Sequence, residues 1–249
     1  MKRSLENATF VITGAAGGLG RALSFCLGSH GARIIGFDSN SAALRQLSVE
    51  LATAGIEHQM SLLDLTNQKK VTQAVSLLAA EKIDGLILNA GITRIVRFTE
   101  LSLEDFRLVF DVNFFASVQF TKLLLPRLIE SKGSLVGISS VSGFAPLRLR
   151  TAYSSSKHAL SAFLETIRSE EDDIDVLIVF PSYLQTAIRA GSEAKTQVGT
   201  ISAEYAAKRI VNSIVKREKR LTFPLQAKLA RLIWYTWPDL YIRLMKKKS

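Results

Sequence analysis

Tyr153 and Lys157 stand four residues apart in a segment of helical periodicity, so their side chains leave one helix face and can act on one ligand. A free phenol has a pKa of about 10, and a nearby ammonium favours the phenolate, which draws the phenol towards acid–base work near neutral pH. Taken alone, such a pair also describes an ordinary solvated helix face. A second group supplies context. Thr13-Gly14-Ala15-Ala16-Gly17-Gly18-Leu19-Gly20 joins an apolar strand-like run to a helical one. Gly14, Gly18 and Gly20 allow a tight turn and close backbone approach to a pyrophosphate, and the helix that opens around Leu19 offers unpaired N–H groups and a positive dipole end to that anion. Asp38 ends the next apolar run, 18 positions after Gly20, near the spacing at which a carboxylate accepts hydrogen bonds from the adenosine ribose hydroxyls. Ser39 and Asn40 follow it rather than Lys or Arg, which favours NAD as the cofactor, while Arg21 and Arg33 are near enough in sequence to leave NADP open.

Positioning these groups requires strands that end where the chemistry begins. Apolar, β-rich runs fall at Ala8–Thr13, Arg33–Asp38, Glu57–Leu63, Gly85–Asn89, Ser134–Ser139, Val176–Phe180 and Arg220–Phe223. Between them, helical periodicity predicts helices at roughly 18–30, 41–54, 67–81, 102–131, 151–171 and 203–217. Near-continuous apolar strands alternating with helices imply a parallel sheet covered on both faces, with right-handed crossovers. The expected fold is therefore α/β, a doubly wound parallel sheet of the Rossmann type in three α/β/α layers, as a single domain. Residues 1–223 form the dinucleotide-binding catalytic unit, and residues 224–249 form a basic, aromatic-rich helical tail. Ligands of such sheets bind beyond the carboxyl ends of the strands, where every motif above lies.

With these motifs in order, the chain resembles the short-chain dehydrogenase/reductase family over nearly its whole length. Asp64 and Leu65, in Leu63-Asp64-Leu65, match the family's acidic position near the adenine. Asn89-Ala90-Gly91 matches its sheet-stabilising Asn-Ala-Gly element, and Asn113 stands in the long central helix where the family carries a catalytic Asn. Ser140 precedes Tyr153 by the family's spacing of 13. Pro181, Leu184 and Thr186 occupy the family's Pro-Gly segment, with Ser182 in place of the usual Gly. The resemblance implies hydride transfer between a nicotinamide cofactor and a carbonyl/alcohol pair, with Tyr153 as acid or base. Ser140 would bind the reacting oxygen, Lys157 the nicotinamide ribose, and Asn113 a water that leads to Lys157. It also implies a homodimer or homotetramer. A non-catalytic NAD(P) sensor of the same fold is the rival reading, although it has no need of Asn113, Ser140, Tyr153 and Lys157 together.

Composition narrows the remaining classes. The chain has 249 residues, 47% hydrophobic and 22% charged, as a folded domain does. The lone Cys26 reads as a buried thiol, and the N-terminus carries no apolar leader, so a cytosolic protein is expected. His30, His58 and His158 are dispersed without ligand spacing, so no metal is expected. Ser140 and His158 lack a Gly-x-Ser-x-Gly elbow, which disfavours acyl transfer. Phe144, Leu147, Tyr183, Leu184 and Ile188 either line an apolar pocket for a steroid-, retinoid- or lipid-like small molecule or pack in the domain, and Gly191–Gly199 reads as a lid or as a plain surface loop.

No uninterrupted run of about 18 apolar residues occurs, so no membrane crossing is expected. Of the +10 net charge, nearly all arises after residue 203, where 12 Lys and Arg face 3 acidic residues. Nucleic-acid binding is disfavoured because this charge is confined to the tail and no recognition fold accompanies it. Leu225, Leu229, Leu232 and Ile233 share one helical face, followed by Trp234, Tyr235, Trp237, a break at Pro238 and the triad Lys246-Lys247-Lys248. These residues could lie on an anionic membrane or pack on protein.

Overall fold

The computed structural model describes residues 2–182 and 201–247. Seven parallel strands form one sheet: β1 (Thr9–Thr13), β2 (Arg33–Asp38), β3 (His58–Leu62), β4 (Gly85–Leu88), β5 (Ser134–Ile138), β6 (Asp175–Pro181) and β7 (Arg220–Phe223). Their order is β3-β2-β1-β4-β5-β6-β7, so the chain reverses its direction of sheet growth between β1 and β4, and a crevice opens there at the carboxyl ends.

Period-two alternation along β1, β2, β4, β5 and β6 sends side chains to two separate cores. Val11, Ile35, Leu86, Leu135 and Ile178 enter one, with Phe120, Leu124, Leu160 and Leu164 from the helices of that face. Ile12, Ile34, Ile87, Val136 and Val179 enter the other, with Leu23, Leu27, Leu47, Ile210 and Ile214. The helices of the first face are α3 (Gln68–Ser76), α4 (Leu103–Phe110), α5 (Ala116–Glu130) and α6 (Thr151–Glu170). Those of the second are α1 (Gly18–Gly28), α2 (Ser41–Thr53) and α7 (Ala203–Val215). The architecture is a single three-layer domain.

Local chemistry sets the helix starts. Asn40, Asn67, Ser102 and Ser202 each accept a hydrogen bond from a backbone N–H three residues on, capping α2, α3, α4 and α7. Gly17 begins α1 with no side chain to do this. Its leading N–H groups therefore face the crevice without a side-chain cap.

The long helix expected over residues 102–131 is not uniform. It widens into a π-turn over Asp111–Phe115, between α4 and α5, an irregularity that often accompanies a functional site. Within Leu103–Glu130 an 18-residue window reaches a mean hydropathy of 1.4, and the element is long enough to cross a membrane. Its Val109, Phe120, Leu124 and Leu128 are buried in the domain core. Cys26, expected to be buried, is half-buried, and desolvation pushes its thiol pKa up.

The tail folds as α8 (Leu225–Thr236) and α9 (Pro238–Lys247), which breaks at Pro238 as the sequence implies. Ala227 and Tyr241 are buried in the first core, with Ala230, Ile233, Trp234, Ile242 and Met245 packed beside them.

Candidate active site

A cleft of about 340 Å³ opens over the carboxyl ends of the strands. At one end Gly14, at φ +65°, turns the chain out of β1. A side chain is excluded there twice, by the positive φ and because a Cβ would lie 2.9 Å from the Ala90 Cα. Gly14, Gly17, Gly18 and Leu19 line the cleft. Gly20 does not. It lies beneath the turn, where a Cβ would come within 2.1 Å of the Gly14 carbonyl oxygen, so its part is to let α1 pack against the loop. Gly20→Ala should displace the turn, lower affinity for a dinucleotide by at least about tenfold and cost about 1–3 kcal/mol of stability, as overpacking does. Fluorescence titration with NADH and urea unfolding measure the two effects.

The β1–β4 junction is tied by polar contacts. The Asn89 amide nitrogen donates to the carbonyls of Thr13 (3.0 Å) and Gly14 (2.9 Å). The backbone N–H groups of Asn89 and Ala90 both donate to the Thr13 hydroxyl. Asn89, Ala90 and Gly91 also line the cleft. Across the crevice, Asp38 Oδ2 accepts the Ala16 N–H at 3.0 Å and Oδ1 accepts the Asn40 N–H at 2.9 Å. A carboxylate offers about four lone-pair sites, so both oxygens retain acceptor capacity for ribose hydroxyls. Asp64, held in a turn by the Thr66 N–H and hydroxyl, completes this end with Leu65.

The other end gathers the groups that can do acid–base work. Ser140, Tyr153 and Lys157 line the cleft together, brought there by the end of β5 and the first turns of α6. The Ser140 hydroxyl accepts the Ser142 N–H at 3.1 Å, which fixes its rotamer and leaves its own proton for another acceptor. The Lys157 ammonium lies 5.9 Å from the centre of the Tyr153 ring. It donates to the Ile138 carbonyl at 2.8 Å, and desolvation lowers its pKa to about 8. One of its three donors is used in that bond, leaving two for sugar hydroxyls.

Asn113 is fully buried in the π-turn. Its Oδ1 accepts the Ile92 N–H (2.8 Å), and its Nδ2 donates to the Ile92 carbonyl and the Ser156 hydroxyl, both at 3.0 Å. The side chain thus clamps the segment after Gly91 to α6 and is not among the residues that line the cleft. Asn113→Ala should cost about 1–3 kcal/mol, because both backbone groups of Ile92 lose their partner. Urea unfolding with and without NADH would register the loss.

Pro181 and Leu147 line the substrate side, whereas Phe144 is buried beneath it, 5.4 Å from Phe180 ring to ring. Tyr183, Leu184, Thr186, Ile188 and the segment Gly191–Gly199 lie outside the described residues. Sequence reasoning did not anticipate Ile92, Thr93, Val112 and Arg150 on the cleft wall. The first two follow Asn89-Ala90-Gly91 directly, and Arg150 precedes Tyr153 by about one helical turn, so adjacency to motifs was the available signal.

A family model described as short chain dehydrogenase matches residues 8–197. The chain is 32% identical to the Mus musculus protein named Dehydrogenase/reductase SDR family member 7B, an alignment that spans all of this chain and 83% of the mouse one. A short chain dehydrogenase/reductase from Burkholderia phymatum, solved in complex with NAD, superposes with a TM-score of 0.86 over 96% of each chain at 22% identity. An alcohol dehydrogenase from the archaeon Thermococcus sibiricus, complexed with 5-hydroxy-NADP, superposes with a TM-score of 0.81 at 23% identity, over 88% of this chain and 96% of its own. At these identities the two solved structures speak for the fold.

Proposed function

The chain belongs to the short chain dehydrogenase family, and from that premise we propose that it is a nicotinamide-dependent oxidoreductase acting on a carbonyl/alcohol pair, with NAD as cofactor and an apolar, steroid-, retinoid- or lipid-like substrate. The observation that carries this reading is the convergence of Ser140, Tyr153 and Lys157 on one cleft with the glycine turn. When bound, the nicotinamide supplies or accepts the hydride.

The chain's own residues do the rest. The uncapped start of α1 holds the pyrophosphate, and Asp38 accepts from the adenosine ribose. The two remaining Lys157 donors hold the other ribose. Ser140 donates to the reacting oxygen as charge develops on it. Tyr153 gives that oxygen its proton in reduction and removes it in oxidation. Ile92, Val112, Val141 and Leu147 support the apolar substrate class by lining the same cleft. A non-catalytic sensor would need the glycine turn and Asp38 but neither Ser140 nor Tyr153, so their presence in the cleft favours an enzyme. Family resemblance supports a homodimer or homotetramer.

Parallel fluorescence titrations with NADH and NADPH at matched salt test the cofactor. NADH should bind more tightly, because the Asp38 carboxylate repels a 2′-phosphate. Asp38→Ala should weaken NADH by about ten- to a hundredfold, the range expected for hydrogen bonds to a charged group. Tighter binding of NADPH by the wild type would reverse the cofactor preference alone. Binding of neither by folded protein would overturn the oxidoreductase reading.

A further inference from the structure

The last two helices are apolar on the side that faces away from the domain. Ala227, Ala230 and Trp234 form the inward face of α8. At about 100° per residue, Leu225, Leu229 and Leu232 project from the opposite side. In α9, Tyr241, Ile242 and Met245 pack inward, which leaves Leu240 and Leu244 outward. With Trp237 between the helices, these outward side chains are 43–68% exposed. A helix that merely covers a domain carries polar residues on its outer face.

Charge identifies the occupant. Residues 224–249 hold six Lys and Arg against Asp239. Lys228 and Arg243 are exposed in the two amphipathic helices. Two copies meeting through this face would press like-charged tails together, whereas an anionic surface attracts both. We propose that the outer face of α8 and α9 docks on an anionic phospholipid bilayer. Its leucines and Trp237 enter the headgroup boundary, and its basic side chains meet the lipid phosphates. Because α8 leaves the carboxyl end of β7 and packs against the turn at residues 141–143, docking brings the cleft end of the sheet near the lipid. The proposal rests on surface chemistry and is independent of the catalytic reading.

Flotation of the full chain tests it, using vesicles of phosphatidylcholine alone or mixed with phosphatidylserine, at low and high salt. The wild type should float with the phosphatidylserine vesicles, less with phosphatidylcholine alone, and less at high salt. The double variant Leu229→Glu, Leu232→Glu should bind at least about tenfold more weakly, with thermal melting and NADH titration unchanged, since both side chains are exposed. A wild type that stays with the soluble fraction overturns the proposal, as does a variant that floats like the wild type. Sedimentation equilibrium showing wild-type self-association that the variant abolishes, without lipid binding by either, assigns the face to a second copy and also overturns it.

Discussion

Tyr153→Phe should lower kcat/KM about a thousandfold in both reaction directions while leaving NADH affinity within about twofold. The substitution removes one hydroxyl and keeps the ring that lines the cleft, so the packing around Lys157 persists. What disappears is the hydroxyl that, in the proposed reading, exchanges a proton with the substrate oxygen. Lys157 is a poor replacement, because the Ile138 carbonyl takes one of its donors and the proposed reading gives the other two to the nicotinamide ribose. Ser140 retains its hydrogen bond to the reacting oxygen and so preserves part of the charge stabilisation, which sets a floor under the residual rate. The decisive comparison is turnover against cofactor binding in the same preparation. Full turnover by the variant would remove Tyr153 from the chemistry, whereas parallel loss of turnover and NADH binding would make it a cofactor ligand.

The same residues show what a linear reading conveys. Tyr153 and Lys157 were legible because a helix converts a spacing of four into a shared face, and the Gly14–Gly20 turn because strand, glycines and helix follow one another directly. The covered strands were legible from their apolar runs, although Glu57–Leu63 shrinks to His58–Leu62, an edge strand with only intermediate and exposed positions. Gly20 was assigned to the ligand since sequence does not distinguish a glycine under a turn from one on its surface. The clamp from Asn113 to Ile92 and Ser156 was hidden, because it joins segments 21 and 43 residues apart through a π-turn that leaves the apolar periodicity of the helix unbroken. Phe144 reads from sequence as either pocket or packing, because strand-end residues point alternately into the cleft and into the core and the short turn at Val141–Gly143 shifts the phase. The apolar window within Leu103–Glu130 belongs to a helix packed on the sheet, an arrangement that composition alone does not separate from a helix that crosses a membrane.

Lys157→Met should stabilise the cofactor-free protein at neutral pH while removing most of its activity. In the unfolded chain this lysine keeps its proton up to its ordinary value of 10.5, whereas in the folded protein desolvation makes it release the proton near pH 8. Between those values the unfolded state binds more protons, so wild-type stability rises with pH across that window. Below pH 8 both states are protonated and the whole cost of burying the ammonium is present, about 3 kcal/mol from the separation of the two pKa values. Methionine fills similar volume without charge and loses the hydrogen bond to the Ile138 carbonyl, which offsets about 1 kcal/mol. A gain of about 2 kcal/mol should remain at pH 7 and shrink towards zero by about pH 10, as the wild-type lysine sheds its proton. Urea unfolding of both proteins at the two pH values measures it. A variant less stable than wild type at pH 7 would mean that the buried ammonium is compensated by its surroundings. The predicted pattern instead makes Lys157 a charge held in place at the expense of stability, as expected of a group kept for what it does to a bound cofactor and to the neighbouring phenol.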